Sequence, residues 1–538
     1  MSNFWSRYLH PRLVNAIKEF GYLEPTPVQE RAIPRVLNGA NVLITAPTGS
    51  GKTEAAMFPI MSKILSGGGS TGGVAAIYIT PARALNRDVN VRLREIANRL
   101  GITTAVRHGD TPESERRRQV REPPTILITT PETLQVILVM RSMRRALRNV
   151  RWVVVDELHE LMNDERGGAQ LSIALERLAN IAGEYQRIGL SATIGNTELA
   201  SQFLAGVGRQ VEVVSVDVSR EMEINVEYPE ATEEDVGLAE DLNTMPETAA
   251  RLRRITEIVS GHRATLIFTN TRDEAELLGG HRLGRMLGNN AVGVYHGSLD
   301  KEEREGLEEG LRSGRVRTVV TTSSLELGID IGHVDAVIQY SSPRQVTKLI
   351  QRVGRSGHRL GRRAVGYVIA RDTDDYLESL VIARKALNNE LEREVEYHEK
   401  ALDVLHHQVA GMVIEAKIEG RALTVGDVLG TVRRAHPYRE LTPEELMDVL
   451  RFMEGNRLVR INEDGTITPR RGGLHRYYFE NISMIPDQKH YRARDMITNK
   501  AIGELDEEFV ETTEPGTQII LAGKPWRIVG IDHEKGGR

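Results

Sequence analysis

Residues 41–63 read NVLITAPTGSGKTEAAMFPIMSK. NVLIT is a short β-branched run, EAAMFPIMSK continues as a helical pattern, and APTGSGKT (46–53) joins them. A glycine-rich loop between a strand and a helix is the setting in which a backbone wraps phosphate. Gly49 and Gly51 allow the loop N–H groups to surround an anion, with Thr48 and Ser50 filling the turn, and the helix N-terminus adds a favourable potential. Lys52 is placed to reach the β- and γ-phosphates of a nucleotide, and Thr53 offers a hydroxyl to Mg2+. The general pattern opens on glycine, whereas this chain has Ala46.

About a hundred residues on, WVVVDELHEL (152–161) is an apolar strand that ends in paired acids. Asp156 at the strand tip would hold the magnesium, directly or through water, and Glu157 would orient and deprotonate an attacking water. Taken alone, such a pair reads as a solvated strand end; downstream of a phosphate loop it reads as the second nucleotide motif. For His159 two readings stand side by side: a relay to neighbouring motifs, or a core histidine.

The same texture extends in both directions. NVLITA, AAIYIT, TILITT, WVVVDE and RIGLSAT are separated by helical patterns, as in a parallel sheet covered on both faces. The pattern pauses over the acid-rich residues 217–247 and resumes with ATLIFT, AVGVYH, RTVVTTS, AVIQYS and AVGYVIA. Two α/β domains joined near residue 220 are expected, with residues 1–216 as the first and 217–392 as the second. The run SGGGSTGG (66–73) reads as a loop.

Beyond about residue 390 helices dominate. In LTPEELMDVLRFMEGNRL, Thr442 is the expected N-cap, Pro443 the first helical residue and Glu445 the partner that completes a capping box. Leu446, Val449, Leu450 and Met453 recur on one helical face. LVRINEDGTITP follows as a hairpin about Asp464-Gly465. Helices ending in a small hairpin predict a winged-helix module over 393–474, and 475–538 reads as the start of a β-rich fourth domain.

Composition sets bounds on this scheme. With 538 residues the chain holds roughly three or four domains at about 100–200 residues each. A net charge of −5 means that any nucleic-acid surface is local. The absence of cysteine excludes disulfides and thiolate metal sites and points to a reducing cytoplasm. The first twenty residues lack the apolar centre of a signal peptide, and no apolar run approaches the roughly 18 residues of a membrane span. A soluble intracellular protein with no membrane partner is therefore expected.

These residues resemble the superfamily 2 helicases, and the resemblance continues in order over about two thirds of the chain. PTPVQ (25–29) looks like the adenine-sensing motif, with Gln29 on the base edge. TPARALNRD (80–88) and TTPETL (129–134) resemble strand-gripping motifs, and SAT (191–193) the motif that couples the two domains through Ser191 and Thr193, with His159 beside them. LIFTNTR (266–272), VVTTSSLELGID (319–330) and QRVGRSGHR (351–359) resemble the second-domain motifs. The phrasing of 323–343 and 351–358, and of YYFENISMIPD, GELDEEFV and GKPWRIV near the end, is similar to the Lhr, or large helicase-related, proteins. Members of that family are longer, so a shortened form is expected.

The resemblance implies two tandem RecA-like domains with ATP and Mg2+ as cofactors. It implies that Arg355 acts as the arginine finger, with Arg352 in support, and that Asp330 binds the ribose hydroxyls. Arg83, Thr130, Thr269, Arg272 and Thr322 would lie on the nucleic-acid track. It further implies 3′→5′ movement on single-stranded DNA by a monomer, unwinding of forked DNA and DNA–RNA hybrids, and a place in DNA repair or replication-fork processing at the nucleoid. An RNA helicase or RNP remodeller, and a non-translocating ATP-gated clamp, are the rival readings. Where DEAD-box proteins have another arginine this chain has His358, followed by Arg359. The winged helix reads as a brace against the RecA core, with a role in shaping the strand's exit path, in preference to a duplex binder.

Overall fold

The computed structural model describes residues 4–531 apart from 48, 69–71, 82, 164–165, 193, 217–220, 289–290, 300, 326–333, 357–362, 389, 392–397, 471, 484–489, 498–500, 507–508, 511–512, 514–515 and 522–523. The chain divides into two compact units, Met1–Asp217 with Arg393–Pro486, and Val218–Glu392 with Asp487–Arg538.

The first unit is built on a seven-stranded parallel sheet of β1 (Asn41–Thr45), β2 (Ala76–Ile79), β3 (Thr104–Arg107), β4 (Ile126–Thr129), β5 (Trp152–Val155), β6 (Gln186–Ser191) and β7 (Val211–Ser215), in the order β3-β4-β2-β5-β6-β1-β7. The strands β2, β4 and β5 are buried at every position, which is why their sequences run apolar without alternation. Leu43, Ile77, Leu127, Val153 and Val155 pack under the helices Pro131–Leu138, Gly167–Ala182 and Thr197–Ala205. The edge strands β3 and β7 were not evident in the sequence: each is partly exposed and interrupts its apolar residues with polar ones.

The winged-helix module belongs to this same unit. Its helices Leu402–Glu419, Val425–Val432 and Pro443–Gly455 and the antiparallel pair β14 (Val459–Ile461) and β15 (Ile467–Pro469) share one apolar cluster with Val139, Ala169 and Ile173 of the α/β part. Thr442 and Glu445 form the expected capping box, and Gly465 turns the hairpin at φ 76°. Two arginine–carboxylate knots close the joint. Arg177, fully buried, donates through Nε and Nη2 to Glu415 Oε1 at 2.9 and 2.6 Å, and through Nη1 to Gln135 and Gln408 at 2.8 and 2.7 Å. Its Nη2 also meets the Tyr478 hydroxyl at 3.2 Å, and that hydroxyl donates to the Gln135 carbonyl at 2.9 Å. Gly411 makes room for it, because a Cβ there would lie 2.5 Å from Arg177 Nη2. In the second knot Glu176, also fully buried, faces Arg187, Arg209 and Arg434 at 2.8, 3.0 and 3.0 Å.

The second unit has a six-stranded parallel sheet of β8 (Met222–Glu227), β9 (Thr265–Phe268), β10 (Val292–Tyr295), β11 (Thr318–Thr321), β12 (Ala336–Tyr340) and β13 (Ala364–Ile369), in the order β10-β11-β9-β12-β13-β8. The stretch 217–247, read in sequence as a pause between domains, contains β8 and the helix Glu233–Asp241. This edge strand is half-buried along its whole length and pairs its acids outward, Glu223 with Arg363 and Glu227 with Arg254, so neither burial nor alternation marked it. The tail 475–538 does not stay together. The helix Leu474–Glu480 packs in the first unit through Tyr478, whereas the hairpins β16 (His490–Arg494)–β17 (Ala501–Asp506) and β18 (Gln518–Leu521)–β19 (Lys524–Arg527) group with the second. There Gly503 bridges to Leu299. Among the described residues no helix is long and apolar enough to cross a membrane.

Two outcomes test the joint. Arg177→Ala leaves Glu415 buried with one partner fewer and should cost about 3–5 kcal/mol in urea denaturation; adding Glu415→Ala should cost less than the sum of the single changes. For Glu176, burial pushes the carboxyl pKa up, but Arg187, Arg209 and their hydrogen bonds outweigh it and hold the pKa below the ordinary carboxylate value. Its stabilising effect is thus present at neutral pH and lost as pH falls through the depressed pKa. Glu176→Gln should accordingly be destabilised relative to the unmodified chain at pH 7, with a gap that narrows below about pH 4.

Candidate nucleotide site

The carboxyl ends of β1, β5 and β6 lie side by side in the sheet, with Thr45 in register with Ser191 and Val155 with Gly189. Ligands of open parallel sheets collect at this edge. The loop after β1 turns on Gly49 and Gly51, at φ 76° and 86° in the left-handed region that glycine tolerates. Gly51 has a second reason to lack a side chain: a Cβ would sit 2.4 Å from Gln29 Nε2. Gln29 is drawn there by a capping box. Thr26 caps the helix Pro27–Leu37, the Thr26 N–H donates to Gln29 Oε1 at 2.9 Å, and Gln29 Nε2 donates to the Gly51 carbonyl at 3.4 Å. The Thr26 hydroxyl donates to the Ser50 carbonyl at 2.8 Å, so the PTPVQ motif is tied to the phosphate loop at two points.

Lys52 opens the next helix, is buried, and donates through Nζ to the carbonyls of Ala46 and Pro47 at 2.6 and 3.0 Å. Asp156 is buried at the tip of β5, where its Oδ2 accepts from the Tyr78 hydroxyl at 2.6 Å and its Oδ1 from the Glu157 N–H at 2.9 Å. Burial, with Glu157 next to it, pushes the Asp156 carboxyl up to about 6. Glu157 has φ 48°, a left-handed conformation that costs a non-glycine residue of order 1–3 kcal/mol and that clusters at functional sites.

His159 is also buried; its Nδ1 lies 2.9 Å from Ser191 Oγ and 3.8 Å from Glu157 Oε2, and its Nε2 lies 3.4 Å from Glu160. Burial alone would lower its pKa, but Glu160 and Glu157 together hold it above the ordinary histidine value. His159 is thus a buried residue placed between Glu157 at the acidic strand end and Ser191.

The donor set fits a hard divalent cation. Asp156 presents a carboxylate held by the Tyr78 hydroxyl, and Thr53 follows Lys52 in the first turn of the helix Lys52–Lys63. Among the described residues no group of three or more His, Cys, Asp or Glu could hold a metal by itself, and Mg2+ typically needs only one or two protein oxygens when it is bound along with phosphates.

The other expected residues fall into four sets. Thr130, Thr269 and Thr322 are buried; Thr130 caps the helix Pro131–Leu138, and Thr269 donates to the Thr271 carbonyl at 2.9 Å. Arg272 begins a short helix and donates to the Ser298 hydroxyl. In the second unit Arg352 is buried against Gln339, with its guanidinium 5.2 Å from the Phe268 ring centre, and Arg355 is buried one turn on. Thr48, Thr193, Asp330, His358 and Arg359 lie outside the described residues, as does the side chain of Arg83. Sequence reasoning missed Tyr78 and Thr26. For Tyr78 the available signal was a hydroxyl in the middle of an otherwise apolar, fully buried strand.

Three families match the chain in succession: DEAD/DEAH box helicase over residues 26–201, helicase conserved C-terminal domain over 248–360, and the winged-helix domain of large helicase-related protein over 384–536. The ATP-dependent helicase Lhr-Core protein 2 of Thermococcus barophilus is 36% identical over 538 residues, covering 94% of this chain and 60% of that protein. Lhr-Core of Methanocaldococcus jannaschii is 35% identical, with the same coverage of 94% and 60%. The chain thus spans about 60% of the length of these relatives. Among solved structures, Mycobacterium smegmatis helicase Lhr bound to ssDNA and AMP-PNP superposes with a TM-score of 0.77 at 30% identity, over 92% of this chain and 64% of that one. The DUF1998 helicase MrfA, at 20% identity and a TM-score of 0.76, shares the fold over 98% of this chain and 71% of its own. Tandem RecA-like domains, a winged helix and this ordered set of motifs place the chain in the Lhr (large helicase-related) family of superfamily 2 helicases.

Proposed function

We propose that the chain is an ATP-dependent helicase that moves along single-stranded DNA. The observation that carries this reading is the group at the ends of β1, β5 and β6, where Lys52 bonds to the Ala46 carbonyl, Asp156 accepts from the Glu157 N–H, and His159 meets Ser191. Lys52 and the loop N–H groups bind the phosphates, and Gln29 reads the base. Thr53 and Asp156 hold the magnesium, which when bound neutralises charge on the β- and γ-phosphates. Glu157 orients and deprotonates the attacking water, while Arg355, with Arg352, supplies positive charge to the γ-phosphate, a role worth about 10³–10⁵ in rate in phosphoryl-transfer enzymes. Asp330 takes the ribose.

His159 and Ser191, with Thr193, pass the state of the γ-phosphate from the acidic strand end to the rest of the motor. Arg83 and Arg272 hold phosphates of the nucleic acid, and Thr130, Thr269 and Thr322 shape the turns that present backbone N–H groups to it. The M. smegmatis relative is seen with ssDNA and AMP-PNP, which supports this pairing of strand and nucleotide. Movement in the 3′→5′ direction, unwinding of forks and DNA–RNA hybrids, action as a monomer and a role in repair at the nucleoid complete the reading. The winged helix serves as a brace: its first helix is consumed by the joint at Arg177.

Glu157→Gln should lower ssDNA-stimulated phosphate release by about 10²–10⁴ while nucleotide and strand binding persist; normal hydrolysis by the variant would remove Glu157 from the role of base. On tailed duplexes, displacement should need ATP and a 3′ tail. Hydrolysis without displacement on either substrate would leave a clamp in place of a motor, and preferential action on all-RNA substrates would favour the RNA reading.

A further inference from the structure

We propose that Tyr78 is a positioning residue that fixes the carboxylate of Asp156, the acidic magnesium ligand, for the cation. The inference rests on the reading of Asp156 as a magnesium ligand. Strand β2 is buried throughout; Ile77 and Ile79 join the apolar cluster under the helices, and Tyr78 pairs in register with Val154, two residues before Asp156. A fully buried phenol needs a hydrogen-bond partner. This one donates to Asp156 Oδ2 at 2.6 Å.

The donor and acceptor inventory fixes the direction of this bond. An ionised carboxylate only accepts, so the Tyr78 hydroxyl must spend its single proton on Asp156. The other Asp156 oxygen is held by the Glu157 N–H at 2.9 Å, so both carboxylate oxygens are pinned from within the protein and the plane of the carboxylate is set. Outer-shell bonds of this kind typically contribute 10–100-fold in metal affinity.

Tyr78→Phe removes the hydroxyl and keeps the ring. The test is equilibrium binding of a fluorescent ATP analogue, titrated with Mg2+ and repeated in EDTA, with thermal denaturation as the check of folding. The expected result is a roughly tenfold rise in the Mg2+ concentration for half-maximal enhancement of binding, with affinity in EDTA within about twofold of the unmodified chain. An unchanged Mg2+ requirement in the folded variant would overturn the proposal. Should the phenylalanine variant not fold, Tyr78→Met is read by the same titration. If the unmodified chain shows no Mg2+-dependent nucleotide binding, it is the assignment of the nucleotide site that fails.

Discussion

A guanidinium with no access to solvent sets the terms for the first unit. Arg177 lies inside the protein, where an unpaired charge would be prohibitive, and it is tolerated because its donors meet Glu415, Gln135, Gln408 and Tyr478. These partners come from three separate parts of the chain. Gln135 is on the helix that follows the TTPETL segment, Gln408 and Glu415 are on the first helix of the winged module, and Tyr478 is on the helix after its hairpin. The requirement to satisfy one charge therefore fixes the winged module and the helix capped by Thr130 as one body. Such a knot adds little stability beyond what apolar residues of the same volume would give, but it permits only one mutual placement. The helix Leu402–Glu419, buried along most of its length, then has no amphipathic pattern to show.

The nucleotide site uses a similar economy in a different form. Its loop is shaped by two glycines, but its position is set from outside by a capping box that belongs to another helix. Asp156 and Glu157 arrive at the end of a strand that is entirely buried, so the rigid sheet carries their precision to the site. The strained backbone of Glu157 is held in place by that same rigidity and by the bond from its N–H to Asp156.

What could be read in advance divides along physical lines. The phosphate loop, the buried strands and the Thr442–Glu445 cap are local patterns, where a few adjacent residues determine the geometry, and all of them were legible. Edge strands were not, because β3, β7 and β8 satisfy one side with solvent and their polar residues resemble loop. The roles of Arg177, Glu176 and Tyr78 depend on partners far along the chain, so they had no signature within any short window. The reach of the tail was hidden for the same reason: Gly503 and Leu299 are brought together only by folding.

The amide of Gln29 illustrates what a capping bond leaves over. It accepts once, from the Thr26 N–H, and donates once, to the Gly51 carbonyl. An amide has two lone pairs on oxygen and two protons on nitrogen, so one of each remains. That remainder is the complement of an adenine N6–H and N7, the bidentate match known from glutamine–adenine pairing. Guanine offers two acceptors at the corresponding edge and would leave the spare lone pair facing oxygen. With Gln29 on the base edge, as proposed, a preference for adenine would follow from the bookkeeping of a helix start.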